Sequence, residues 1–303
     1  DKRKTKLVSG GLKEFKEEDL ILLEETVIAL SNSGYIKRLS PDSFKAQRRG
    51  GKGLIGGEVS EEDFIEHFLS ASTHDNILFF TNKGKVFQTK VYEIPVGSRI
   101  AKGKLIQNFL EIPSDEKITA IIAYPAIKNQ KSAINNYLVM ATKNGVIKKT
   151  ALEDFSNVRR SGIIAINLKN EDELRWVKLS SGKDEIILTT ELGQSIRFKE
   201  TKLRPMGRTA AGVAGIRLKK NDFVSGFDII KSEEKNQKLL IVMENGFAKQ
   251  TPLKEYRLQN RGGSGIKTAK ITSKTGKIVS ARIIDSQEEL LALSAKGQII
   301  KTE

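Results

Sequence analysis

Residues 138–150 read Leu-Val-Met-Ala-Thr-Lys-Asn-Gly-Val-Ile-Lys-Lys-Thr. Four apolar residues are followed by a hydroxyl residue, a short polar turn ending in glycine, and a strand that changes from apolar to basic. An apolar run joined through Asn-Gly to a second β-rich run is a β-hairpin pattern, because glycine supplies positive φ at low cost. The same unit recurs as VIALSNSGYIKRL from Val27, ILFFTNKGKVFQT from Ile77, IILTTELGQSIRF from Ile186, LLIVMENGFAKQT from Leu239 and LLALSAKGQIIKT from Leu290. The anchoring glycines are Gly34, Gly84, Gly145, Gly193, Gly246 and Gly297, separated by 50, 61, 48, 53 and 51 residues. Six copies at nearly constant spacing mark a repeat architecture rather than unrelated hairpins.

Working outward from the glycine, the residues two positions on are Ile36, Val86, Ile147, Ser195, Ala248 and Ile299, all apolar or small. Four positions on stand Arg38, Gln88, Lys149, Arg197, Gln250 and Lys301, all basic or amide. In an extended strand these positions share a face, so each strand runs from core to a polar end. A glycine-rich basic loop then follows in five copies: QRRGGKGLIG at Gln47, SRIAKGKLI at Ser98, VRRSGIIAI at Val158, GRTAAGVAGI at Gly207 and NRGGSGIKTA at Asn260. Each leads into another apolar strand, giving roughly four strands in about 50 residues, the size of a propeller blade. The expected fold is therefore all-β: one propeller-like disc of six four-stranded blades spanning residues 1–303. The last copy stops at Glu303 after one hairpin, so residues 1–26 are expected to complete it and close the ring, which removes exposed sheet edges.

Composition narrows the function. Lys and Arg number 52 against 37 Asp and Glu, a formal net charge of +15 that points to a polyanionic partner, nucleic acid first. With no cysteine and only His67 and His74, thiol chemistry is excluded and a histidine-built zinc site has too few ligands. No apolar run approaches the roughly 18 residues of a membrane helix. The start, Asp1-Lys2-Arg3-Lys4-Thr5-Lys6, lacks a signal peptide's apolar stretch, so a cytoplasmic location is expected. The absence of an initiator Met suggests a fragment of a longer protein. No Walker-type phosphate loop is present, and His74-Asp75 point to opposite faces of a strand with no nucleophile beside them. No cofactor is expected. Trp176 and the 13 Phe read as core, since aromatics are not interleaved with the basic loops as in single-strand binders.

The heptapeptide Gln47-Arg48-Arg49-Gly50-Gly51-Lys52-Gly53 resembles the signature box of the C-terminal domain of bacterial DNA gyrase A, a type II topoisomerase component. The flanking NSGYIKRLSPDSFKAQRRGGKG and EEDFIEHFLSASTHDNILFFTNKGKVF are similar to that family's first blade and its link to the second, and LRPMGRTAAGVAGIRL resembles its equivalent loop. The resemblance covers about Asp19 to Glu303 and implies a six-bladed β-pinwheel whose strand order differs from that of WD-repeat propellers. It implies duplex DNA bent around a basic rim, in support of negative supercoiling. It also implies two partners: the ATPase subunit of gyrase, and the breakage–reunion domain of the same polypeptide. The isolated domain is expected to be non-catalytic and monomeric, away from membranes. Two departures weaken individual blades. Ala211 and Ala214 stand where many relatives carry Arg, and KGKLI replaces a full R-R-G-G loop in the second copy.

The expected DNA contacts are first Arg48, Arg49 and Lys52 with the rest of the box, Gln47, Gly50, Gly51 and Gly53, whose glycines allow main-chain N–H groups to approach phosphate. The remaining candidates are Lys37, Arg38, Lys85, Arg99, Lys102, Lys104, Lys148, Lys149, Arg159, Arg160, Arg197, Arg208, Lys249, Arg261 and Lys267. Two other readings stay open. One is the matching domain of the topoisomerase IV A protein, which typically lacks a complete box. The other is a propeller scaffold for an acidic protein, which binding to random-sequence duplex separates from a DNA module. An enzyme with a site in the central channel would need converging carboxylates or histidines, which the repeats do not supply.

Overall fold

The computed structural model describes residues 17–41, 63–98, 101–125, 137–169, 171–231, 236–285, 290–293 and 299–302. The first three copies supply β1 (Glu25–Ser31), β2 (Tyr35–Leu39), β3 (Ile65–Ser72), β4 (Asn76–Thr81), β5 (Lys85–Lys90), β6 (Lys104–Leu105), β7 (Ile118–Tyr124), β8 (Tyr137–Thr142), β9 (Val146–Ala151), β10 (Ile163–Ile164) and β11 (Leu174–Ser180). The rest supply β12 (Glu185–Thr190), β13 (Gln194–Lys199), β14 (Val213–Ala214), β15 (Val224–Ile230), β16 (Lys238–Met243), β17 (Ala248–Pro252), β18 (Ile266–Lys267), β19 (Ile278–Ile284), β20 (Leu290–Leu293) and β21 (Ile299–Thr302).

The hairpins form where the repeat places them. In each of the first four copies the hydroxyl before the turn accepts the N–H of the residue after the glycine: Ser31 Oγ from Tyr35 (3.2 Å), Thr81 Oγ1 from Lys85 (3.3 Å), Thr142 Oγ1 from Val146 (3.1 Å) and Thr190 Oγ1 from Gln194 (3.2 Å). That bond explains why a Ser or Thr recurs there. The glycine does more than turn. Gly84 and Gly193 have φ of 78° and 87°, and their carbonyls accept N–H groups of Ala165 and Thr268 from the next copy's loop. A Cβ on Gly193 would lie 2.4 Å from the Ala269 carbonyl oxygen, and one on Gly84 would lie 2.6 Å from that of Ile166.

That loop carries the fourth strand of each sheet. The sheet orders are β3-β1-β2-β6, β10-β5-β4-β7, β11-β8-β9-β14 and β15-β12-β13-β18. Each two-residue strand thus comes from the glycine-rich loop of one copy and pairs with the hairpin of the copy before it. The opposite edges, β3, β7, β11, β15 and β19, pack one on the next and so line the interior of the ring. The two-residue strands and their loops consequently lie on the periphery.

The apolar cores sit between blades rather than within them. Ile28, Leu30 and Ile36 of the first blade pack with Ile77, Phe79 and Phe87 of the second. Leu78 and Phe80 meet Leu138, Met140 and Phe155. Val139 and Ile147 meet Leu188 and Phe198, and Ile187 and Ile230 meet Leu239 and Ile241. A strand buried on both faces reads as a continuous apolar run, as the first strand of every copy does.

The expectation of six four-stranded blades is corrected to five blades. Four sheets have four strands, the fifth has three in the order β17-β16-β19, and the sixth copy forms only the hairpin β20-β21. Counting glycines counts hairpins, whereas a blade also needs an inner strand and, in the first four copies, takes a peripheral strand from the following copy. Among the described residues the sixth hairpin gains neither. Residues 17–24 lie beside the start of the second blade: the Leu22 carbonyl accepts from Thr73 Oγ1 at 2.7 Å, Glu24 N donates back to that hydroxyl at 3.1 Å, and Glu18 pairs with Lys90 at 3.1 Å.

Candidate nucleic-acid interface

In the first four copies, Lys37, Arg38, Lys148, Lys149 and Arg197 of the hairpin strands are turned inward. Lys37 is buried, and its ammonium donates to the carbonyls of Ala101 at 2.7 Å and Ser98 at 3.3 Å. Lys148 is fully buried and donates to the carbonyls of Ala165 at 2.7 Å and Arg208. Burial pushes its pKa down to about 8, with the Arg208 charge acting in the same sense and Asp154 opposing; burial also lowers that of Lys37. Lys149 lies 3.4 Å from the carboxylate of fully buried Glu200 and over the Tyr137 ring. Arg197 pairs with Glu185 at 2.5 Å and donates to the carbonyls of Leu253 and Tyr256. Arg38 is half-buried, and its carbonyl accepts the Gly97 N–H at 2.9 Å. Lys85 pairs with buried Glu116 at 2.6 Å.

For the residues four positions after the glycine, the inward turn has one cause. Arg38, Lys149 and Arg197 each bridge in parallel to the segment that enters the next loop, at Val96, Pro205 and Leu258. The positions read from sequence as a polar strand end are therefore where the following copy's loop lands on the blade. The charges of Lys149 and Arg197 meet carbonyls and carboxylates instead of solvent, which satisfies groups that would otherwise be costly to bury, whereas Arg38 Nε is buried with no hydrogen-bond partner among the described residues.

The loops carry the outward charge. Lys102, Lys104, Arg159, Arg160 and Lys267 are exposed, while Arg208 and Arg261 are half-exposed; Lys249, on the hairpin strand β17, is exposed as well. Lys102 stacks over Tyr35 at 4.1 Å from the ring centre. Arg261 donates to the carbonyls of Ala214 at 3.0 Å and Lys202 at 3.4 Å, and Lys249 to that of Thr268 at 3.3 Å. Gln47–Gly53 and Arg99 lie outside the described residues. Sequence reasoning passed over Lys199 and Lys202, which border a shallow depression with Leu258, Gln259 and Asn260. Their signal was available in the basic run Lys199-Glu200-Thr201-Lys202-Leu203-Arg204, between hairpin and loop.

His74 Nε2 donates to the Glu18 carbonyl at 3.1 Å, and its ring packs edge-on against Tyr92, a structural placement. Burial lowers the pKa of His67 on β3; Glu66 and a backbone bond to Ile118 oppose this, and the Arg282 charge reinforces it. Among the described residues no cluster of His, Asp and Glu is arranged to hold a metal ion, and no helix is long and apolar enough to cross a membrane.

Sheets that exchange a peripheral strand around a ring, with glycine-rich basic loops on the outside, define a β-propeller whose charge lies on its rim. The profile described as "DNA gyrase C-terminal domain, beta-propeller" matches residues 25–72, 75–125, 136–181, 184–231 and 237–285, one match for each blade. The chain belongs to the DNA gyrase C-terminal domain family. It is 45% identical over its whole length to the DNA gyrase A protein of Staphylococcus epidermidis and 44% identical to that of Staphylococcus aureus. It spans about a third of those relatives, 33% and 34% of their lengths. Among solved structures, the C-terminal domain of DNA topoisomerase IV superposes with a TM-score of 0.75 at 26% identity, over 93% of this chain and 84% of that one. A DNA gyrase A C-terminal domain does so with a TM-score of 0.72 at 26% identity, over 92% and 89%.

Proposed function

We propose that this chain binds duplex DNA along its periphery, without reading bases, and bends it around the ring as a module of DNA gyrase. The observation that carries this reading is the placement of basic, glycine-rich loops from successive blades on the outer edge. DNA resists bending: curvature of about 45° per helical turn costs roughly 2–3 kcal/mol per turn. Contacts must then be spread along the path, and a periodic rim meets that need where one strong site does not. Lys102, Lys104, Arg159, Arg160, Arg208, Lys249, Arg261 and Lys267, with the box residues Arg48, Arg49 and Lys52, are the contacts of this reading. Lys199 and Lys202 join them. Lys37, Arg38, Lys148, Lys149 and Arg197 support the loops from beneath.

In this reading residues 1–303 act as one non-catalytic, monomeric module in the bacterial cytoplasm. The ATPase subunit of gyrase and the breakage–reunion domain of the same polypeptide supply the chemistry that turns the bend into negative supercoils. The 45% identity to a gyrase A protein over the full chain favours gyrase over topoisomerase IV. The test is salt dependence on random-sequence duplex. Six to ten neutralised phosphates give a slope of log K against log salt near −5 to −9. A slope shallower than about −2 would mean one local contact and would remove the basis for bending.

A further inference from the structure

The residue three positions after the repeat glycine alternates in kind around the ring: Lys37, Phe87, Lys148, Ile196, Lys249 and Ile300. In the first four blades this residue lies beneath the loop that arrives from the next copy. Lys37 holds Ser98 and Ala101, and Lys148 holds Arg208 of loop 207–212, through carbonyls. Phe87 and Ile196 hold theirs by packing: a Cβ on Gly162 would lie 2.6 Å from the Phe87 ring, and one on Gly263 would lie 3.5 Å from Ile196 Cδ1. The loop sequences match their seats. Those above lysine contain Ala101 and Ala210-Ala211, and those above apolar residues contain Arg160-Ser161 and Gly263-Ser264.

In a planar trans peptide the C=O of one residue points opposite to the N–H of the next. With the Ala101 and Arg208 carbonyls drawn inward, the N–H groups of Lys102 and Thr209 face outward, beside the Lys102 and Arg208 side chains. We propose that Lys37 and Lys148 are positioning residues for DNA phosphates: each buried ammonium turns its loop so that a backbone N–H, a basic side chain and the charge beneath form one phosphate seat. The rim then alternates between lysine-seated and apolar-seated loops. Each lysine-seated loop binds one phosphate through Lys102 N–H or Thr209 N–H. Lys148 also holds the Ala165 carbonyl, at the end of the strand its own copy lends to the second blade, so one ammonium ties the departing and arriving crossings together.

This inference rests on the DNA-binding reading, and its test separates the two. In the full chain, Lys148→Met removes no exposed charge. It should speed amide exchange at 207–212 about tenfold and lower the salt slope on random duplex by about 1. Lys148→Gln, which can still donate to a carbonyl, should restore slow exchange in part. Phe87→Leu should leave the slope unchanged. Lys37→Met should reproduce the Lys148→Met slope loss through Ala101–Gly103, which keeps the idea testable if Lys148→Met does not fold. A folded Lys148→Met chain with parental exchange at 207–212 and parental slope overturns the seat. A parent chain that fails to bind duplex overturns the DNA reading instead, while exchange at 207–212 still reports on the seat.

Discussion

The pH dependence of stability around Lys148 gives a sharp test of the inward-turned lysines. The side chain is fully buried, and its pKa falls to about 8, against about 10.4 for an exposed lysine. The folded state thus holds this proton less tightly than the unfolded chain. Between pH 8 and about 10.4 the unfolded chain carries more protons, so stability must rise with pH across that window. The full span is worth about 3 kcal/mol, and roughly 2 kcal/mol of it falls between pH 7 and 9.5. Asp154 opposes the shift and Arg208 adds to it, so the effect belongs to this cluster. Urea unfolding of the parent and of Lys148→Met at both pH values isolates it, because every other titrating group is shared. The parent should gain about 2 kcal/mol relative to the variant on going to pH 9.5. Parallel pH profiles for the two chains would refute the reasoning, since they would mean the ammonium is hydrated in the folded state.

Three further outcomes follow from the same geometry. Arg159→Ala and Arg160→Ala should each lower the salt slope by about 1 without changing the urea midpoint, because both side chains are exposed on a peripheral loop. Glu200→Ala should destabilise the fold by about 3–5 kcal/mol in urea titrations, because it strands buried Lys149 and removes the acceptor of Ser180 Oγ, now at 2.8 Å. Gly193→Ala should cost at least about 1–3 kcal/mol in the same titration, since its φ is 87° and the new methyl would meet the Ala269 carbonyl at 2.4 Å.

The hairpins were legible because their determinants are local. A positive-φ glycine, a hydroxyl three residues before it and four apolar residues all fall within 13 positions, as in 138–150. The exchanged strand was not legible. Ile163–Ile164 or Val213–Ala214 is too short to show a period of two, and its partner is a hairpin in another copy. The blade count failed for the same reason, since a repeated glycine does not reveal whether its hairpin receives the remaining strands. The basic strand ends read as rim because a lysine in an otherwise apolar strand suggests exposure. Burial of Lys37 comes from Ser98 and Ala101, and that of Lys148 from Arg208, 60 or more residues away in sequence. The basic loops, by contrast, were readable as loops from their glycines, and their place on the periphery emerged only once the exchanged strands fixed it.

The central claim is that a rim of spaced contacts bends DNA, and topology measures that directly. Relaxed circular DNA is saturated with the chain, relaxed again with a nicking-closing enzyme, stripped of protein and resolved on a gel. The account predicts a linking-number change of one sign that grows with the number of bound chains and vanishes in high salt. Full occupancy of the circles with no change in linking number would contradict it.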